Sequence, residues 1–186
     1  MTLFEYLAIA FGLVYSVAAL RLLGGLPFAV AASRRYWVHL SLTLFQLLVI
    51  AASFWSFWSL QETEWTFPRF LLALAVPALI YYCSAVLVPE NPEEVQSWHA
   101  HYFTVRQRFF AGIGLWAVAG ATNASVNAGM PLTHPSRLIH LAVLLVSLVA
   151  AFSARPAVHA AIASLLGVVF FVWVLLFGFT PDWMAR

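Results

Sequence analysis

The sequence predicts an all-α membrane protein in which six helices cross the bilayer. Of its 186 residues, 63% are hydrophobic and only 9% are charged, whereas soluble domains carry roughly 25% charged residues. The apolar runs are long enough, at about 1.5 Å of rise per residue, to cross a hydrocarbon core. The six predicted helices cover residues 3–23, 36–60, 67–88, 109–128, 136–153 and 156–180.

The first three helices follow from charge-free runs and from the residues that interrupt them. Gly24, Gly25 and Pro27 predict the end of the first helix, because these residue types commonly terminate helices. Residues 36–60 carry no charged side chain and are bracketed by aromatic residues typical of the membrane interface. The short acidic turn at residues 61–64 then makes the second and third helices antiparallel neighbours.

The longest polar connection, residues 89–108, predicts a helix at the membrane surface. Asn91 followed by Pro92 and two glutamates is typical of a helix start, with asparagine as the N-cap. Apolar and polar side chains then fall on different faces of a helix. We therefore expect an interfacial amphipathic helix over residues 92–108, leading into the fourth membrane segment at Phe109.

The basic residues predict the orientation of the chain. All nine are arginines, and six fall on the side that carries the connections after the first, third and fifth helices. This asymmetry predicts a cytoplasmic location for those connections and both termini outside. Two halves of three helices, joined by residues 89–108, then have opposite orientations, an arrangement seen in transporters. Ridges of small residues such as Ala8, Gly12 and Ser16 predict close helix packing and a homo-oligomer.

The composition excludes several classes of function. A retinal-type Schiff base needs a lysine amine, and the chain has no lysine. The single Cys83 cannot form an intrachain disulfide. A net charge of +2 gives no reason to expect a nucleic-acid partner. Between the predicted interfaces the chain offers amides, hydroxyls and one thiol without an acidic partner, so we do not expect an enzyme.

The second predicted helix carries a polar stripe, which is the first candidate site. Its members recur on one helical face: His39, Thr43, Gln46 and Ser53. Asn123 and Asn127, one turn apart on the fourth helix, form a second polar group on the outer side. The leading hypothesis is a non-enzymatic conduit or transporter-like bundle for a proton, an ion or a small solute, with these six residues lining its path. Ordinary hydrogen bonding between packed helices is the alternative explanation.

The histidines support a second hypothesis. His39 and His159 are predicted at similar depth near the cytoplasmic ends of their helices, where two imidazoles can ligate a haem or chlorin metal axially. His140, near the outer face, is a candidate for a second cofactor site. Interfacial histidines bonded to backbone or lipid are the alternative, and no C-x-x-C-H attachment motif is present. His99 and His101 are a further metal candidate, although side chains two residues apart on a helix diverge.

The cofactor hypothesis implies a particular kind of partner. In this hypothesis the chain is a haem- or pigment-binding accessory subunit of a membrane energy-converting complex. A third hypothesis, a scaffold or partner-binding membrane subunit, needs no cofactor. The three hypotheses share the lipid bilayer as the surroundings of the protein.

Short motifs in the first 110 residues carry a resemblance to known proteins. They are Phe4-Glu5-Tyr6, Tyr36-Trp37-Val38-His39, Trp55 with Trp58, Glu64-Trp65-Thr66-Phe67, and the stretch from Tyr102 to Phe110. With these motifs the chain resembles an uncharacterised group of small multi-span bacterial membrane proteins. The resemblance implies a bacterial cytoplasmic (inner) membrane and no particular activity.

Overall fold

The computed structural model describes residues 3–31 and 33–177, and within them the regular structure is entirely helical. Six helices follow one another: α1 (Leu3–Ala29), α2 (Trp37–Ser56), α3 (Phe67–Leu87), α4 (Trp98–Val126), α5 (Ser136–Phe152) and α6 (Pro156–Phe177). A short 3-10 turn, Phe57–Leu60, extends α2. No strand occurs in this described part of the chain, so the all-α prediction is confirmed.

Five of the helices are long and apolar enough to cross a membrane: α1, α2 with its 3-10 extension, α3, α4 and α6. The remaining helix, α5, has 17 residues and covers about 26 Å, which is short of a hydrocarbon core of about 30 Å. By length and composition, the described part of the chain is a multi-pass integral membrane protein with five candidate spans. A sixth span through α5, the two halves of three helices and the outside location of the termini stay predictions.

The outer surface of the bundle is apolar. Large side chains that would be buried in a soluble domain face outward; Leu13, Leu20 and Phe171 are 64%, 67% and 62% exposed. Continuous apolar surface of this kind needs a cover in water, whereas lipid tails cover it at no cost. The exposure pattern therefore agrees with the hydropathy of the helices.

The first helix is longer than predicted. It continues through Gly25 and Pro27 to Ala29, beyond the expected end at residue 23. Gly25 is buried against the end of α3, where an added Cβ would collide with Val88. Close packing at a small residue overrides the low helix propensity of glycine, so the glycine is part of a contact and does not end the helix.

Residues 92–108 do not form a separate interfacial helix. Pro92–Glu94 is a single 3-10 turn, and α4 begins at Trp98 after the N-cap Ser97. From there α4 runs without a break to Val126. The predicted surface helix and the predicted fourth segment are therefore parts of one 29-residue helix.

The side chains at the two candidate caps give the physical reason. The Asn91 amide donates to the Glu94 carboxylate at 3.0 Å, so it does not cap a helix. The Ser97 hydroxyl accepts from the Ala100 N–H at 3.3 Å, which is the usual N-cap bond. The chain between these caps is non-helical, and the helix starts six residues later than the sequence pattern indicates.

The helices close a ring. α3 packs against α4, α4 against α5, α5 against α6, and α6 against α2, which contacts α3 and completes the ring. α1 packs on α2 and α3 from one side. Pro77 lies inside α3, which continues through it. This arrangement surrounds a cavity to which every helix contributes.

Candidate functional site

The central cavity lies inside the helix ring and has a volume of about 160 Å³. Each helix contributes to a wall that is mostly aromatic and aliphatic, including Phe11, Phe45, Pro77, Trp116, Val143 and Phe170. The polar side chains in the wall are few: Tyr15, Ser53, Ser56, Asn123, Ser136 and His140. An apolar chamber with a small number of polar groups is the usual form of a small-molecule site.

The polar stripe predicted on α2 divides into two parts. Ser53 lines the central cavity, where its side chain interacts with the Tyr15 phenol of α1. His39, Thr43 and Gln46 are fully buried and do not line it. The four residues therefore share a helix face, but only one of them reaches the chamber.

The other three stripe residues form a seam between α2 and α3. The His39 Nε2–H donates to the Leu87 carbonyl at 3.0 Å, and the Gln46 amide donates to the Ile80 carbonyl at 3.4 Å. The Thr43 hydroxyl donates to the His39 carbonyl within α2 at 2.9 Å. Hydrogen bonding between packed helices, the alternative explanation for the stripe, describes the His39 and Gln46 contacts, whereas Thr43 bonds within its own helix.

The two asparagines of α4 also have different surroundings. Asn123 lines the central cavity, and its Oδ1 accepts from the Asn127 amide at 2.7 Å. Asn127 is buried and donates to the Arg69 carbonyl at 3.1 Å, while its own carbonyl accepts from the Thr63 hydroxyl at 2.8 Å. Asn127 thus ties the end of α4 to the connection between α2 and α3, whereas Asn123 is part of the cavity wall.

His140 presents an acceptor to the cavity. Its Nδ1–H donates to the Ser136 carbonyl at 2.9 Å, so Nε2 carries the lone pair of the neutral ring. At Gly120 of α4 a Cβ would lie 3.6 Å from this Nε2. One turn away, the buried indole N–H of Trp116 has no acceptor among the described residues. His140 Nε2 is thus an acceptor in this stretch of the wall, and the Trp116 N–H is a fully buried donor beside it without a partner among the described residues.

Histidines and an arginine satisfy the carbonyls at the end of α3. The Leu87 carbonyl accepts from Nε2 of His39 at 3.0 Å and from Nε2 of His101 at 3.1 Å. The next carbonyl, of Val88, accepts from Nε of Arg21 at 3.0 Å. Carbonyls in the last turn of a helix have no partner within the helix, and cationic or imidazole donors are common substitutes.

The end of α5 repeats the pattern. The Ser153 carbonyl accepts from Nε of Arg106 at 2.9 Å and from Nε2 of His159 at 3.0 Å. The other ring nitrogen of His159, Nδ1, accepts from the Tyr102 hydroxyl at 2.7 Å. We call the four capping residues His39, His101, Arg106 and His159 the carbonyl-cap end of the bundle.

The proposed haem or chlorin ligands do not fit axial ligation as a pair. Both ring nitrogens of His159 are engaged by protein groups. His39 stacks on Trp98, with ring centroids 4.4 Å apart, and bonds a different helix end. Neither residue lines the central cavity, while His140, the third candidate, does. His39 and His159 thus bond the ends of two different helices and share no cavity wall.

The candidate surface metal site is also divided. His99 is exposed and packs against Tyr36 and Phe103, with ring centroids 4.8 Å apart in each case. His101 is turned inward to the Leu87 carbonyl. Across the described ranges, no group of three His, Cys, Asp or Glu side chains has a geometry suited to a metal ion.

Sequence reasoning missed the residues that complete these two regions. Arg106 belongs to the carbonyl-cap end, and Tyr102 donates to its His159. Trp116 and Gly120 belong to the cavity wall. An arginine or histidine near the predicted end of a neighbouring helix was the available signal for the caps. The cavity wall had no such signal, because it depends on how six helices meet.

The fold and its site define a class: a multi-pass helical membrane bundle around a central, largely apolar cavity. No protein-family model, curated protein or solved structure matches the chain. The functional argument therefore rests on the geometry of the cavity.

Proposed function

We propose that the protein is a transporter-like membrane bundle that accommodates a small, largely apolar solute in its central cavity. The observation that carries this proposal is the position of the cavity inside a closed ring of helices, with all six contributing to its wall. Transporters hold their solute between helices near the middle of the bundle, and small-molecule sites are mostly apolar with a few oriented polar groups.

The composition of the wall favours an uncharged solute over a proton or an ion. An ion inside an apolar chamber needs a set of charged or carbonyl ligands to replace its hydration. The cavity offers three serines, one asparagine, one histidine and a phenol, but no Asp, Glu or Arg. Among the three solute classes that the sequence leaves open, the small solute is therefore the one we propose.

The volume of the central cavity limits the size of the part of the solute that it can hold. An apolar cavity of about 150 Å³ accommodates one benzene ring, and the central cavity has about the same volume. The acceptor at His140 Nε2 and the donors on the Asn123 amide suit a ring that carries one hydroxyl group. A phenol-like molecule, or the ring of a larger amphiphile, has this chemistry.

A cavity-filling variant tests the proposal. Ala52 lines the cavity, whereas the neighbouring Ala51 is exposed on the outer surface. We expect Ala52→Trp to abolish binding of 4-fluorophenol, measured by ¹⁹F NMR on the purified protein in micelles. Ala51→Trp is the matched control and keeps the wild-type signal. Equal binding by both variants, or none by the wild type above empty micelles, contradicts the proposal.

The cellular setting is part of the proposal. The resemblance described above supports a bacterial cytoplasmic membrane, and the arginine asymmetry supports a cytoplasmic carbonyl-cap end. The small-residue ridge on α1 supports a homo-oligomer. Native mass spectrometry in a mild detergent tests the oligomer directly, and a purely monomeric mass contradicts it.

A further inference from the structure

A second cleft lies between α1 and the segment that follows α3, away from the central cavity. It has a volume of about 450 Å³. Its wall combines one cation, two carboxylates and an apolar strip, represented by Arg21, Glu90, Glu93, Val17, Leu20 and Tyr81. The mixed charge sets it apart from the central cavity, which has no charged side chain in its wall.

Arg21 has unused hydrogen-bonding capacity in this cleft. Its Nε donates to the Val88 carbonyl at 3.0 Å, but its two terminal nitrogens have no acceptor among the residues that the structure describes. Arg137 shows the contrast, because its guanidinium donates to four different acceptors. The two terminal nitrogens of a guanidinium group can donate side by side to two oxygens of a phosphate or carboxylate.

The position of Arg21 along α1 indicates which anion is available to its guanidinium. It lies eight residues before Ala29, or about 12 Å from the end of the helix, and at the level where α3 ends. A long arginine side chain at this depth reaches toward the membrane interface. The abundant anion at the interface is the lipid phosphate.

The carboxylates of the cleft indicate which group accompanies the phosphate in the lipid headgroup. Glu90 and Glu93 are exposed and line the cleft, so their charges disfavour an anionic headgroup and favour an ammonium group. Val17 and Leu20 are 51% and 67% exposed and continue the cleft along the lipid-facing side of α1. We propose that this cleft binds a phospholipid with a phosphoethanolamine headgroup: phosphate on Arg21, ammonium on Glu90 and Glu93, and an acyl chain along α1.

Native mass spectrometry of the purified protein tests the assignment. The protein is mixed with equal amounts of phosphatidylethanolamine, phosphatidylglycerol and phosphatidylcholine of the same acyl chains. We expect preferential retention of phosphatidylethanolamine, reduced about tenfold in Arg21→Gln, as for the loss of a hydrogen-bonded charge. The control Arg155→Gln, an exposed arginine outside the cleft, keeps the wild-type retention. Equal retention of the three lipids, or no effect of Arg21→Gln, overturns the proposal.

A second variant keeps the test independent of folding defects. Glu90 and Glu93 are exposed, so Glu90→Gln with Glu93→Gln leaves the bundle intact. We expect this double variant to lose the preference for phosphatidylethanolamine and to retain phosphatidylglycerol instead; an unchanged preference overturns the ammonium assignment. Free glycerophosphoethanolamine is added as a competitor in a further arm. We expect no displacement of the lipid, and displacement overturns the lipid assignment in favour of a soluble phosphate compound.

Discussion

The carbonyl-cap end and the central cavity use polar residues in opposite ways. At the carbonyl-cap end, imidazole and guanidinium groups donate to the free carbonyls of α3 and α5, and His159 has both ring nitrogens engaged. Around the cavity, His140 Nε2 and the Trp116 indole N–H keep their hydrogen-bonding capacity. The polar groups of the carbonyl-cap end stabilise helix ends, although His39 Nδ1 is buried without a partner among the described residues. At the cavity, the His140 Nε2 acceptor belongs to a residue of the wall and is the group we assign to a ligand.

The largest expected effect concerns the carbonyl-cap end. His159→Leu removes two buried hydrogen bonds and leaves the Tyr102 hydroxyl without its acceptor. We expect a loss of about 2–3 kcal/mol in the free energy of unfolding, measured by chemical denaturation in mixed micelles. The control His99→Leu changes an exposed histidine and is expected to stay within about 0.5 kcal/mol of the wild type. A His159→Leu protein as stable as this control would show that the caps are not structural.

The next largest effect on stability is expected for Asn127, one of the two asparagines of α4. Asn127→Leu removes the bond to the Arg69 carbonyl and the bond to Asn123. We expect it to lower the free energy of unfolding by about 1–2 kcal/mol.

Asn123→Leu is the companion variant, since Asn123 lines the cavity. We expect a smaller loss of stability and a weaker binding of 4-fluorophenol by about five- to tenfold, corresponding to one hydrogen bond. Denaturation and ¹⁹F NMR of both variants provide the comparison. The same loss of binding in both variants would mean that Asn127 belongs to the site.

Gly120→Ala changes the cavity with little effect on stability. Gly120→Ala places a methyl group at ordinary contact distance from His140 Nε2, where a Cβ lies 3.6 Å away. We expect reduced binding of 4-fluorophenol and a change of less than about 1 kcal/mol in the free energy of unfolding. Gly167→Ala on α6, whose Cβ meets nothing within 4 Å, is the matched control and keeps wild-type binding. Unaltered binding in Gly120→Ala would remove His140 from the site.

The smallest effect is expected in the seam between α2 and α3. Gln46 makes one long bond to the Ile80 carbonyl, and its Oε1 is buried without a partner. Replacing an unsatisfied buried amide by leucine is nearly neutral, so Gln46→Leu should stay within about 1 kcal/mol of the wild type and bind 4-fluorophenol normally. Loss of binding, or of solute flux into liposomes, would place the solute path in the seam and reverse the comparison between the two regions.

The fold class could be predicted from the sequence because the hydropathy of a helix depends only on consecutive residues. The all-α class and the existence of the helices follow from apolar runs that the bilayer requires. Helix ends were less predictable. The end of α1 depends on Gly25 packing against Val88, and the start of α4 depends on Asn91 bonding Glu94 in place of capping.

The candidate site could be predicted only in part. The sequence identifies the polar residues of α2, but a partner such as the Leu87 carbonyl is backbone and has no sequence signal. Ser53, Asn123 and His140 line the cavity; the first two were candidates for lining a solute path, and His140 was a candidate cofactor ligand. Their common chamber arises from the ring of five helices and from α1 packed beside it, an arrangement that composition and periodicity do not determine.

The short length of α5 has a consequence for the surrounding lipid. It covers about 26 Å beside α4, which has 29 residues and covers about 43 Å. If α5 is the predicted sixth span, acyl chains that match it must end sooner or lie flatter than those around the longer helices. In that case we expect the bilayer to be thinner beside α5 than around the other helices, and lipids with short or unsaturated acyl chains to be enriched there.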